Sequence, residues 1–268
     1  MTILCIESST SVCSAAICKD GVPVKQCICL EGSNHARLLP RYIEDLLSFA
    51  REQSLSIEAV ALSEGPGSYT GLRIGTSTAK GLCYGLNIPL IPVPTLEVLC
   101  QAAKRRISDD SCQMSEDRGK KREVLVPMID ARRMEVYTKD MIHTMYKGNN
   151  GTGAHNAKAV VVENEETLCA GIFEHNGLAT EQFFSETEFY YFGDGAAKCQ
   201  EVLSSPNWHY IPGIVPEAQY MGGLAEEKIN GREDEWNRVL TGERIAYYEP
   251  YYLKEFVAAQ SHVKGLKS

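Results

Sequence analysis

The sequence has no run of apolar residues long enough to cross a bilayer. Its longest, Val124–Ile129 and Ile88–Val93, fall far short of the ~20 residues that a membrane helix requires, so no membrane association is expected. The opening MTILCIE carries no basic region, and Glu7 breaks its apolar stretch; no signal peptide is expected. Positive charge is scarce, 27 Lys and Arg against 35 Asp and Glu, for a formal charge of −8. Such a chain is a poor holder of a nucleic-acid backbone by itself, because that affinity comes from neutralising phosphates. No CxxC pair occurs among the ten cysteines, at 5, 13, 18, 27, 29, 83, 100, 112, 169 and 199. Several (Cys5, Cys13, Cys18, Cys83) stand inside apolar runs, and they read as reduced, small core residues of a cytoplasmic protein. The six histidines form no HxxxH or HExxH pair, and no His/Cys/Asp grouping has the spacing of nucleophilic catalysis; no metal site and no catalytic residue is assigned. The Walker spacing GxxxxGK[ST] and the GxSxG elbow are missing too.

What is there is an ordinary globular balance, 44% hydrophobic and 23% charged over 268 residues, enough for one large or two modest domains. Residues 2–30 read as three strands, Ile3–Ile6, Val12–Cys18 and Pro23–Leu30, the last two joined by the turn Lys19-Asp20-Gly21. A helix capped at Ser33 or Asn34 follows, with Leu39, Tyr42, Ile43, Leu46, Leu47 and Ala50 in the i, i+3, i+4 rhythm. Pro40 predicts a kink in it or a later start. Next come a strand at Ala59–Ser63, a glycine-rich loop at 65–71, a helix to about Leu86, a strand near Pro89–Val93 and a helix from Thr95 to about Ala103.

Residues 104–123, with seven basic and five acidic side chains, read as a solvated loop. The opening pattern then returns. Val124–Asp130 is an apolar strand ending in an acid, as Ile3–Glu7 is. Arg133–Ile142, Ala159–Glu163 and Phe189–Phe192 supply strands, Glu165–Phe173 a helix, and Gly193–Leu203 a turn into another. Ala218–Asn230 reads as helical and Ala246–Leu253 as a final aromatic strand. A strand–strand–strand–helix–strand–helix order thus appears twice, which points to a duplicated α/β architecture with two lobes facing a cleft. Its best-known form is the actin, hexokinase and heat-shock-ATPase fold, which is ribonuclease H-like. The organisation expected is an N-terminal lobe over 1–104, a C-terminal lobe over 105–215, and a helix and strand over 216–268.

The strongest local feature is GPGSYTGLRIG at 65–75, which leaves a strand and opens a helix. Gly71, Gly75, Gly81 and Gly85 all fall within that helix, each costing ~1 kcal/mol of propensity. Close backbone packing must offset this, either on the helix's own sheet or against a second polypeptide. Glu7, Ser8 and Ser9, at the first strand's end, fit a phosphate-binding hairpin or a plain one. Gly193 and Gly195, in FGDGAAK, form a second turn that could face them across a cleft. No cofactor is expected on this basis.

Taken together, ILCIESSTSVCSAAICKDG, HARLLPRYIEDLL, SEGPGSYTGLRIGTSTAKGL, PVPTLEVL, VLVPMIDARRMEVY and EPYYLKEF resemble the TsaB (YeaZ) family of bacterial tRNA threonylcarbamoyladenosine synthesis. The likeness covers most of 1–142 and 246–256, and is loose over 143–215. It implies a non-catalytic subunit that binds and activates the related TsaD in forming N6-threonylcarbamoyladenosine at position 37 of tRNAs, together with the ATPase TsaE. TsaD carries a helical HxxxH metal pair where this chain reads TLEVLCQAA (95–103), without histidine. The resemblance implies tRNA contact only through the complex, and a homodimer when the chain is alone. It also places the contact surface on the helices at about 35–50 and 71–86: Arg37, Leu38, Arg41, Tyr42 and Asp45 on the first, and Tyr69, Thr70, Gly71, Arg73, Ile74, Ser77, Thr78 and Gly81 at the second. The alternative is an ATP-dependent enzyme of the same fold, a phosphotransferase or a metallopeptidase-like protein.

Overall fold

The apolar runs at the start of the chain form a sheet covered on both faces. In the computed structural model, which describes residues 1–32, 34–109, 122–139, 157–173, 181–231 and 239–254, β1 (Thr2–Glu7), β2 (Cys13–Lys19), β3 (Val22–Cys29), β4 (Ala59–Gly65) and β5 (Leu90–Pro94) pair in the order β3-β2-β1-β4-β5. β1 is antiparallel to β2 and parallel to β4, and β5 is parallel to β4. Strand side chains alternate between faces. Leu4, Ile6, Val60 and Leu62 meet α1 (His35–Glu52) and α2 (Tyr69–Leu86) on one face. Ile3, Cys5, Ala61 and Ile91 meet Val98 of α3 (Thr95–Asp109) and Met221, Leu224 and Ala225 of α6 (Met221–Asn230) on the other.

The second half repeats this plan. β6 (Arg122–Pro127), β10 (Thr187–Phe192) and β11 (Trp208–Ile211) form one three-stranded sheet, and β7 (Ile129–Asp130), β8 (Glu135–Thr138) and β9 (Lys158–Val161) another. Only Met128 separates β6 from β7, so read through that break the order is β9-β8-β7/β6-β10-β11. The pairing senses match too, since β7–β8 and β8–β9 are antiparallel while β6–β10 and β10–β11 are parallel. α4 (Glu165–Phe173) and α5 (Glu181–Ser185) stand between β9 and β10 as α1 stands between β3 and β4. α3 lies between the halves: Leu96, Leu99, Ala103 and Ile107 pack against Leu125, Ile129 and Phe192. Glu97 receives Lys139 Nζ at 3.1 Å, a pair held mostly out of water. The chain then returns to the first sheet through α6, an isolated bridge between Leu90 and Leu240, and α7 (Glu243–Ala246).

Several sequence expectations need correction. α1 starts at His35 and runs through Pro40, so there is no later start; Asn34 is its N-cap but makes no side-chain cap bond. α3 opens at Thr95 as expected, with the buried Thr95 hydroxyl lacking a hydrogen-bond partner. α3 reaches Asp109 because Ile107 continues the buried stripe of Leu99 and Ala103, which leaves Arg105 and Arg106 on a solvated helix face rather than in a loop. The expected strand 124–130 breaks at Met128, whose N–H donates to Phe192 O and whose carbonyl accepts Gly195 N–H. The helix expected within 193–203 is a 3₁₀ turn, Ala197–Cys199. The expected aromatic strand at 246–253 does not form. That segment carries Pro250, and its amide at Tyr251 donates to Glu64 O at 2.7 Å, where a bulge in the β4–β5 pairing leaves the carbonyl available. Neither α5 nor β11 was expected. The parts of the expected loop at 110–121 and of the expected strand beyond 139 lie outside the described residues. The nine described cysteines are free thiols.

Candidate functional site

Glu7, at the end of β1, is fully buried. Its Oε1 accepts Ser9 N–H at 2.7 Å and Ser9 Oγ–H at 2.5 Å, while Oε2 has no hydrogen-bond partner. Burial pushes the carboxyl up to about 7, against the opposing pull of Ser9. Ser8 Oγ donates to Gly71 O at 2.9 Å, and Ser68 N–H donates to Ser9 O at 2.6 Å. Ser68 also caps α2 by accepting Gly71 N–H at 3.3 Å. The glycine-rich loop therefore lies directly on the end of β1. A Cβ at Gly71 would stand 2.0 Å from Ser8 O, and one at Gly75 2.2 Å from Ser8 Oγ. These two glycines pack on their own chain. Gly81 and Gly85 are exposed, with nothing within 4 Å of a Cβ.

The turn after β10 follows the same logic. Gly193 takes φ +108°, and a Cβ there would meet Met128 O at 2.2 Å; one at Gly195 would meet Ile129 C at 2.8 Å. Between them Asp194 Oδ1 accepts Asp130 N–H at 3.0 Å, and desolvation raises its carboxyl above the usual range. Asp194, Asp130, Ser9, Gly67, Arg132 and Lys254 belong to the lining of a cleft of about 570 Å³ between the halves. Of the five residues expected to hold a ligand there, only Ser9 lines it; Glu7, Ser8, Gly193 and Gly195 lie beneath. Asp130 pairs with Lys198, and Glu135 with Lys254. Among the described residues, no group of three or more His, Cys, Asp or Glu is placed to hold a metal.

Sequence reading missed Arg132, Arg133, Asp194, Tyr252 and Lys254 in this lining. The two arginines form the β7–β8 turn with φ +68° and +51°. Such a turn ordinarily signals itself through Asn or Gly, so Arg-Arg gives no warning.

The residues expected at a partner face fall on the outer side of α1 and α2, which pack together on the first sheet. On α1, Arg37, Arg41 and Asp45 are exposed, and Leu38 and Tyr42 are half-buried. On α2, Thr70, Arg73, Ser77 and Gly81 are exposed, and Tyr69, Ile74 and Thr78 are half-buried. Gly71, expected on the same face, is buried against Ser8 instead, because α2 turns that side toward β1. Tyr84, which was not expected there, is 91% exposed.

A family model described as TsaD, tRNA N6-adenosine threonylcarbamoyltransferase, matches residues 30–247. The chain belongs to the TsaD family. Among named relatives, it is similar to TsaB of Haemophilus influenzae, a tRNA threonylcarbamoyladenosine biosynthesis protein, with 29% identity over 56% of this chain and 58% of that protein. It is similar to TsaB of Escherichia coli at 35% identity, over 51% of this chain and 53% of that one. The chain thus spans little more than half the length of the curated relatives it matches. The solved structure of YeaZ from Pseudomonas aeruginosa superposes with a TM-score of 0.62 at 21% identity, covering 94% of this chain and 99% of that one. That likeness shows the fold, the duplicated actin-like architecture built above from strand order. Within the TsaD family the chain is thus of the TsaB/YeaZ kind. The TsaD-family match includes α1, α2, the glycine-rich loop and the turn at Asp194, and so takes in the outer helical face and the part of the cleft between Gly67 and Asp194.

Proposed function

We propose that this chain is a non-catalytic subunit that binds and activates a TsaD-like catalytic subunit in forming N6-threonylcarbamoyladenosine at position 37 of tRNAs, with a TsaE-like ATPase as third partner. One observation carries this reading: the outward side of α2 carries a stripe of short residues, Ser77, Thr78, Gly81 and Gly85, while the neighbouring α1 leaves Leu38 and Tyr42 half-buried. Interior glycines that touch nothing in their own chain lower helix propensity without a compensating contact. A second helix laid closely over them supplies that contact. The interface proposed comprises Arg37, Leu38, Arg41, Tyr42, Asp45, Tyr69, Thr70, Arg73, Ile74, Ser77, Thr78 and Gly81, and the same face serves a homodimer when the partner is absent. Two further points support the reading. The glycine-rich loop and the strand-end serines are occupied with each other, and the helix that carries HxxxH in TsaD has no histidine here. Transfer of tRNA contact to the complex also suits a chain of charge −8.

An interface of this kind buries ~1,600 Å² in total, and a bulky side chain at its centre cannot be accommodated. Ser77→Trp and Gly81→Trp are expected to fold as the wild type does, by circular dichroism. Both should fail to co-elute with the TsaD-like subunit of the same organism in size-exclusion chromatography. If both variants fold and co-elute as the wild type does, the interface lies elsewhere.

A further inference from the structure

Beside the face just described, α2 and the segment 248–254 line a groove of about 540 Å³ that adjoins the cleft at Tyr69, Tyr252 and Lys254. Arg73, Thr76 and Lys80 line one wall, and Tyr248 and Tyr252 the other. Tyr69 closes one end, its ring 5.0 Å from that of Tyr252. Arg73 and Lys80 are seven residues apart, so they stand about 10 Å from each other along the helix axis. Neither has a carboxylate partner among the described residues. Arg73 donates to Tyr69 Oη at 2.9 Å and lies over that ring, and Lys80 donates to Ala246 O at 2.8 Å. Lys254, at the other end, is already paired with Glu135. The groove's one acid is Glu249. In a chain of charge −8, two uncompensated cations in one groove run against the overall balance.

We propose that this groove seats an extended acidic segment of the catalytic subunit, with one carboxylate on Arg73 and a second on Lys80. The inference rests on the reading that a TsaD-like subunit covers the α1–α2 face, with which the groove is continuous through Arg73 and Ser77. Charge selects the occupant. Carboxylates two residues apart on an extended chain point the same way at about 7 Å, a spacing that long Arg and Lys side chains can bracket. Arg binds a carboxylate in two-pronged fashion, and the tyrosines give the segment's apolar parts a wall.

The test is isothermal titration of the TsaD-like subunit into wild type, Arg73→Glu/Lys80→Glu and Arg73→Gln/Lys80→Gln, at about 50 and about 300 mM NaCl. The wild type should weaken with salt. The Glu pair should bind at least tenfold more weakly at low salt, and should regain part of that loss at high salt as the repulsion is screened. The Gln pair, which is neutral and less disruptive to folding, should fall between. Wild-type affinity and salt response in both pairs, with Gly81→Trp still defective, would overturn the groove and leave the subunit reading standing. No binding by any form, wild type included, would overturn both. Unchanged affinity for the subunit, with saturable binding of inorganic phosphate that the Glu pair loses, would assign the groove to a phosphorylated small molecule instead.

Discussion

Glu7 and Asp130 occupy equivalent ends of the two halves' opening strands, and their surroundings give them opposite characters. Asp130 is exposed and neutralised by Lys198; Glu7 is enclosed, with one oxygen unpartnered. A carboxyl at about 7 in the folded state against 4.5 as its ordinary value binds its proton more tightly when folded. Its share of stability is therefore fully present below about pH 4.5 and is lost as pH rises through 7, on the order of 3 kcal/mol in all. Glu7→Gln should flatten that part of the profile. Urea midpoints at pH 5 and pH 8 check it: the difference between them should shrink in the variant, and an identical difference would contradict the assignment. Both acids were legible in the sequence as strand-ending residues. Their unlike environments were not, because burial at Glu7 depends on the distant glycine-rich loop folding over it. The same holds for Ser8 and Ser9, whose hydrogen bonds go to Gly71 and Glu7 rather than outward.

At the scale of elements, α2 presents two faces that the sequence ran together. The glycine excess was legible as a sign of close packing, but its division was not: Gly71 and Gly75 meet Ser8, while Gly81 and Gly85 meet nothing. The two classes should respond oppositely to alanine. Gly75→Ala forces a Cβ to within 2.2 Å of Ser8 Oγ, and should lower stability by ~1–3 kcal/mol. Gly81→Ala relieves an open glycine and should raise it by ~0.5–1 kcal/mol. Chemical denaturation of the isolated protein distinguishes them, and equal effects would contradict the two-faced description. β1, β2, β4 and β5 were readable because each is a largely apolar run, as strands covered on both faces must be, whereas β3, at the exposed edge of the sheet, was readable from the turn before it. α3 was read short, since Lys104, Arg105 and Arg106 mask the single buried Ile107 that extends it. The tail at 246–253 looked like a strand by its tyrosines, yet Tyr248 is buried in the core of the first sheet, Tyr252 lines both groove and cleft, and Tyr251 reaches Glu64 through its backbone.

The duplicated order is the whole molecule's main constraint, and it was legible from the recurrence of an apolar strand ending in an acid. What could not be read was the seating of the halves. α3 packs on both sheets, and Lys254 and Tyr251 connect the tail to Glu135 in one half and Glu64 in the other. These contacts hold the cleft walls together while α1 and α2 remain outward. The partner role proposed for that outward face is tested most directly by reconstitution. This chain, the TsaD-like subunit and the TsaE-like ATPase of the same organism are incubated with tRNA and the threonylcarbamoyl donor, each subunit being omitted in turn, and N6-threonylcarbamoyladenosine is measured in the digested tRNA. The account predicts no product from this chain in the absence of the TsaD-like subunit, and a rise in that subunit's output when the chain is added. Product formed by this chain without the TsaD-like subunit would contradict it.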